Sequence, residues 1–349
     1  FVPSATVTSE GNLVYMSTIT GSTNTYLMNA VAKIGETEYY TLFDAVKAAQ
    51  GETTTITLIS DTSEEFAINN TATSITLDLN GKELTGAILP SNAKLTVKNG
   101  TINNNNSSVS AIEINAGTLN LEGVNIASAR HAVRIDGDVI AEVNGGEYTL
   151  ISSNGVTQHA FNISGNANVT INGGKFVGPA GTASDSGSAV NVKSGATVTI
   201  EGGDFSGGKN HTLSAAGTLI VKGGTFDQDP SAYVAPGYKA EKTGNVWTVK
   251  LMTTEIFLTA AGTVTTADAT DAVYSLMFTI TDEVNKEVSV KIGSMKPANN
   301  SNAVLVIPET VEFDGINEAF EVTAIEDDAF NSCRNFVGGL TLPRYVRTI

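Results

Sequence analysis

Large apolar residues recur along the first two thirds of the chain in fixed columns. Aligned on a glycine or asparagine, seven copies of one phrase centre on Gly81, Asn99, Gly123, Gly145, Gly173, Gly202 and Gly223. Three residues later each copy carries a large apolar side chain: Leu84, Ile102, Ile126, Tyr148, Phe176, Phe205 and Phe226. Two residues earlier stand Leu79, Val97, Leu121, Val143, Ile171, Ile200 and Val221. Four earlier stand Leu77, Leu95, Leu119, Ala141, Val169, Val198 and Leu219. Apolar residues alternating with polar ones predict a strand with one buried face. The glycine predicts a bend whose backbone other residues avoid, after which the next apolar residue re-enters the core.

A second short apolar run precedes each phrase. These runs start at Ala67, Ala87, Ala111, Ala132, Ala160, Ala189 and His211, at separations of 20 to 29 residues. Self-similar strands at such a period predict stacked repeats, because one repeat cannot bury its apolar face alone. Adjacent strands lie about 4.8 Å apart, so seven or more rungs would span roughly 35 Å. The fold class expected is all-β: a parallel β-solenoid of seven to nine rungs. In "TLFDAVKAAQG", Thr41 suits a helix N-cap with Asp44 three residues on. Leu42, Ala45, Val46 and Ala49 share one helical face, and Gly51 stops the helix. A short helix there would cap the open core. Residues 1–30 read as an extension of weak strands.

The repeated stretch resembles the right-handed parallel β-helix of the pectate-lyase-like superfamily, as found in secreted proteins of gut bacteria. "VAKIGETEYYTLFDAVKAAQGETTTITLISD" (31–61) resembles the usual lead-in of hairpin, helix and first rung, and "DPSAYVAPGYKAEKTGNVWTVK" (229–250) the usual exit. The resemblance covers residues 31–250 and implies a fold more than a function, since lyases, hydrolases and adhesins share it.

After Lys250 the phrase disappears. Residues 272–295 predict a β-hairpin turning at "DEVNK", within a small antiparallel region assigned to 251–302. From 303 to 349, "VIPETV" returns 35 residues later as "TLPRYV". Ile307, Pro308, Val311, Ile325, Ala329, Phe330, Cys333, Leu340, Leu342, Pro343, Val346 and Ile349 resemble a BspA-type leucine-rich repeat, seen here as a partial array. That resemblance gives Cys333 a plain place in the repeat core. The pattern breaks off in mid-repeat, so the natural protein is expected to continue.

Composition sharpens this picture in a few respects. Charged residues are only 16% and the net charge is −16. Residues 251–349 hold 6 Lys/Arg against 14 Asp/Glu, leaving 14 against 22 in residues 1–250. Neither half is basic, so nucleic acid and anionic membrane surfaces are poor partners. A single cysteine rules out an internal disulfide or a cysteine-based metal site. No run of 18 apolar residues is present, so no transmembrane segment is expected.

Candidate chemistry is sparse. "ARHAVRIDGD" (129–138) supplies Arg130, His131, Arg134, Asp136 and Asp138. If the chain is an enzyme, Arg130, Arg134 and Asp136 are the catalytic candidates, although Arg134 and Asp136 also suit a plain surface ion pair two positions apart. His131 and His159 fall in one column about one rung, ~4.8 Å, apart, with Asp185 in an adjacent loop. They are the only candidates for a metal, and neither metal nor cofactor is expected. Glu113, Glu122, Asp136, Asp138, Glu142 and Glu147 are spread over three rungs without a recurring pair of the kind glycoside hydrolysis needs. The two longest insertions, 149–159 and 177–188, fall in consecutive rungs at the same point and should project together. They offer Ser152, Ser153, Asn154, Thr157, Gln158, Thr182, Ser184, Asp185 and Ser186 as hydrogen-bonding residues, without an aromatic. The resemblance implies a non-catalytic adhesion protein, extracellular or on a bacterial cell surface, with a host protein or polysaccharide as ligand. A polysaccharide lyase or glycoside hydrolase, or a structural spacer, are the alternatives.

Overall fold

The computed structural model describes residues 4–7, 13–19, 22–27, 29–49, 51, 53–69, 74–151, 158–179, 187–208, 211–297, 302–314, 316, 318–331, 333, 336 and 338–349. The chain is mostly β and forms two compact units. The first comprises Phe1–Tyr233 with Ala240–Thr248, the second Val234–Lys239 with Val249–Ile349.

Most of the first unit is one large sheet in which parallel pairing predominates. Its strands form three ladders. The strand before the glycine runs through Thr54–Leu58, Ser74–Asp78, Ala93–Lys98, then on to Thr197–Ile200 and Thr218–Val221. Its register sets Leu77, Val97, Leu121, Val143, Ile171, Ile200 and Val221 in one line, all buried. The strand after the glycine sets Leu84, Ile102, Ile126, Tyr148, Phe176, Phe205 and Phe226 in a second line. The short leading strand sets Ile88, Ile112, Val133, Phe161, Val190 and Leu213 in a third. Copies of one sequence thus lie side by side in parallel, an arrangement compatible with a β-helix or solenoid. Like pairs with like, so each apolar column is continuous and buried.

Two details differ from the sequence reading. Aligning Ala67 with Ala87 sets Ile68 against Ile88, but the strands pair Phe66 with Ile88 and Ile68 with Pro90, both Phe66 and Ile68 being buried. The phrase had aligned Leu79 with Val97, but the strands pair Leu77 with Val97, because the bend in that copy starts two residues later. The bend also changes form along the chain. Gly81, Asn99, Gly123 and Gly145 have positive φ, but at Gly173, Gly202 and Gly223 the conformation passes to the second glycine, Gly174, Gly203 and Gly224.

Leu42–Ala48 is helical, with Leu42, Ala45 and Val46 buried. The Thr41 hydroxyl accepts from the Asp44 amide at 3.0 Å, and the Glu64 carboxylate accepts from Leu42 and Phe43 at 2.7 and 2.9 Å. These bonds occupy amides that a helix start leaves open. Ser4–Val7, Leu13–Ile19 and Ser22–Leu27 form a three-stranded antiparallel sheet. At the other end of the ladders Trp247 and Thr248 pair antiparallel with Phe226 and Thr225.

The second unit holds a six-stranded sheet in the order Val264–Thr265, Thr253–Leu258, Tyr274–Asp282, Glu287–Ile292, Ala319–Ile325, Thr310–Glu312. The hairpin expected at 272–295 is Tyr274–Asp282 with Glu287–Ile292. The second of these strands pairs parallel with Ala319–Ile325, so the sheet and its core cross the boundary drawn at 302/303. Leu305 and Val306 pair parallel with Leu340 and Thr341, the equivalent residues of the returning phrase. Leu305 is 6% exposed and Leu340 59%, since the second copy covers the first. Cys333 is half-buried rather than buried; it lines an apolar hollow of about 560 Å³ with Phe330, Phe336 and Leu340.

Candidate functional site

The register of the third ladder brings a polar row to its outer side: Glu113, Arg134, Asn162, Asn191 and Ser214 lie opposite one another in successive strands. Because side chains alternate along a strand, these five share one face while Val133 and Ile135 point the other way. Arg134 is the centre of the row. Its Nη1 donates to Glu113 Oε1 at 2.6 Å and its Nη2 to Asp136 Oδ2 at 2.9 Å. The remaining carboxylate oxygens are also engaged: Ser110 Oγ donates to Glu113 Oε2 at 3.3 Å and Ser164 Oγ to Asp136 Oδ1 at 3.0 Å. Further along, Asn191 Nδ2 donates to Asn162 Oδ1 at 2.9 Å.

Beside this row opens a cleft of about 380 Å³, lined on its polar side by Glu113, Asp136, Arg130, Asn115, Ser91 and Ser108. Arg130 donates through Nη1 to the Ser108 carbonyl. The three residues singled out as catalytic candidates, Arg130, Arg134 and Asp136, do therefore gather at one place. Glu113 completes the group. Its place was legible: it is the middle residue of "IEI" as Arg134 is of "VRI" one repeat later.

His131 and His159 stack with ring centroids 5.6 Å apart and planes 11° from parallel. Both are buried. Stacking on one another and contact with the backbone of the next copy take the rings out of solvent, which no local pattern announces. The His159 amide donates to His131 Nδ1 at 3.0 Å, and the Ser188 amide to His159 Nδ1 at 3.0 Å. His131 Nδ1 also lies 3.2 Å from the His159 carbonyl oxygen and His159 Nδ1 2.8 Å from Ser188 Oγ, so each ring is tied through Nδ1 to the next copy. Burial above all pushes the His131 pKa down to about 4 and that of His159 to about 3; Arg130, Arg134 and Lys193 add to the effect at His131. Among the described residues no group of three or more His, Cys, Asp or Glu side chains is placed to hold a metal ion.

Of the insertion residues, Gln158 is described and buried, with its Oε1 unpartnered among the described residues. Ser152, Ser153, Asn154, Thr157, Thr182, Ser184, Asp185 and Ser186 lie outside the described residues. The strands that flank the two insertions do pair, Thr149 with Val177 and Phe161 with Val190, so both insertions leave and rejoin the sheet at neighbouring points.

A second hollow, of about 270 Å³, lies near the end of the ladders and was missed on sequence. Thr212, Gln228, Asp229 and Tyr233 line it together with His211. Its signal was an aromatic next to an acidic turn, "DQDPSAY", read only as part of an exit segment. No helix of the described residues is long and apolar enough to cross a membrane. No protein-family model, curated protein or solved structure matches the chain.

Proposed function

We propose that this chain is a non-catalytic glycan-binding protein of a bacterial surface or secretion, built on a right-handed parallel β-helix with a helical cap and followed by partial leucine-rich repeats. The observation that supports binding over chemistry is the use of the carboxylates. All four oxygens of Glu113 and Asp136 already accept hydrogen bonds, two of them from one guanidinium. A hydrolase needs one carboxyl to give a proton and another to activate water or attack the sugar. Two carboxylates fixed on one arginine instead make a rigid, hydrogen-bonding surface, and the Asn162–Asn191 pair extends it along the row. Fixed polar groups at the ~4.8 Å strand spacing suit the hydroxyls of an extended polysaccharide, and the acidic chain disfavours a nucleic acid in the same place.

Affinity electrophoresis through gels cast with mucins and plant polysaccharides, stained afterwards for polymer cleavage, tests the proposal. Retardation without clearing is expected, weakened in Glu113→Gln and in Arg134→Met. A cleared zone lost in Asp136→Asn would establish an enzyme instead. No retardation on any polymer would leave a spacer or a protein ligand as the better reading.

A further inference from the structure

We propose that the hollow between residues 211–213 and 228–233 binds a single uncharged hexopyranose ring, as the end unit of a glycan. The inference deepens the glycan reading and rests on it, but it concerns a separate site. Its walls are held in place before any ligand arrives. Asp227 accepts from the Gly207 amide at 2.7 Å and from the Thr212 hydroxyl. Gln228 accepts from the Thr212 amide at 3.2 Å and donates to the Gly208 carbonyl at 2.7 Å. Two consecutive side chains, directly after Phe226 at the end of the aromatic column, thus clamp the preceding connection against the exit segment. A site whose walls are already bonded loses little entropy on binding.

Three polar groups in the hollow are left for a ligand. Asp229 uses Oδ1 to accept from the Ser231 amide at 2.9 Å and the Ser231 hydroxyl at 2.5 Å, and Oδ2 has no partner among the described residues. The His211 imidazole and the Tyr233 phenol likewise have none. A carboxylate oxygen accepts, a phenol both donates and accepts, and an imidazole has two ring nitrogens for hydrogen bonds, which matches hydroxyl groups that donate and accept. The Tyr233 ring with Leu213, Pro230 and Ala232 supplies the apolar wall against which the C–H face of a pyranose packs. The Ser231 bonds hold the Asp229 carboxyl below the usual carboxylate range, so it is ionised at neutral pH. A negative charge at the mouth disfavours uronates and other anionic sugars relative to a neutral ring, although Lys242 acts on the same carboxyl.

Saturation-transfer NMR on the full chain, with the methyl glycosides of glucose, galactose, mannose and glucuronic acid as probes, tests this. Transfer to at least one neutral hexoside and none to the glucuronide is expected. Asp229→Asn should weaken the neutral hexoside about tenfold, the order of one hydrogen bond to a charged group. Tyr233→Ala should abolish transfer, its thermal unfolding showing whether it has folded; Asp229→Asn alters an exposed side chain and serves where Tyr233→Ala does not fold. Glu113→Gln should leave transfer intact while weakening retardation by polymers. Polymer retardation without hexoside transfer, or transfer unaffected by Asp229→Asn, overturns the hollow and leaves the glycan reading standing. Neither retardation nor transfer overturns both.

Discussion

Gly146 shows how tightly neighbouring copies approach. Its φ is +93°, and a Cβ added there would collide with the carbonyl oxygen of Val124 in the preceding copy. Alanine would meet both a disfavoured backbone and a steric clash, so Gly146→Ala should cost more than about 1 kcal/mol in urea unfolding. Gly123, at φ +60° with nothing within 4 Å of an added Cβ, is the control. Asparagine tolerates that conformation, and Asn99 already holds it at φ +58°; Gly123→Asn should cost a few tenths of that. Equal losses for the two would mean that backbone strain alone sets the requirement. The need for glycine was legible from its recurrence. Which member of each Gly-Gly pair bears the strain was not, because the answer lies in the carbonyls of the preceding copy. The histidines teach the same lesson: their shared column could be counted along the chain, whereas their burial depends on what the adjacent copies place over them.

At the scale of the element, the aromatic column explains why one phrase is repeated. Phe205 stacks between Phe176, at 4.8 Å and 8°, and Phe226, at 5.0 Å and 9°. Each ring fills the same place in its own copy, so parallel stacking is a consequence of register. Phe205→Ala would open a cavity between two rings that cannot collapse onto each other without shifting two strands, and should cost about 3–5 kcal/mol. Phe205→Leu keeps most of the volume, as Ile126 and Ile102 do earlier in the same column, and should cost distinctly less by the same urea measurement. A similar loss for both would show that ring stacking, rather than volume, holds the column. The strands, the helix at Leu42–Ala48 and the paired phrases at Leu305 and Leu340 could all be read from alternation, caps and repetition. The parallel pairing of Glu287–Ile292 with Ala319–Ile325 could not, because those two segments share no phrase. Of the insertion residues chosen for their hydroxyls and amides only Gln158 lies among the described residues, whereas the Glu113–Arg134 contact was implicit in two equivalent strand positions that differ in charge.

The whole molecule contains two cores whose ionisable groups respond to acid in different windows. In the first unit, His131 and His159 have pKa values of about 4 and about 3, depressed by burial from 6.5. The unfolded chain therefore binds protons there that the folded chain does not. Their contribution to stability is complete above about pH 6.5 and is lost progressively as pH falls through the folded values. Of the charges that act on them, Arg130, Arg134 and Lys193 do not change in this range, while His131, which also lowers the His159 pKa, gains its own charge only near about 4. In the second unit, hydrogen bonds from Ser275 and Ser294 outweigh desolvation at Glu255, and bonds from Lys291 and Ser289 do so at Glu326. Both carboxyls are held below 4.5, so their contribution persists down to that value and is lost only beneath it. Calorimetry should resolve two transitions, since each unit has its own core. Tyr274→Ala, which empties part of the second core, identifies one of them. Acidification from about pH 7 to about pH 5 should lower the other transition and leave the one marked by Tyr274→Ala in place. The double variant His131→Asn, His159→Asn keeps an acceptor near each Nδ1 but cannot titrate, and in it the pH response of the first unit over that interval should disappear. If both transitions fall together in the wild type, or if the double variant still responds, the histidine column is not what makes the first unit sensitive to acid.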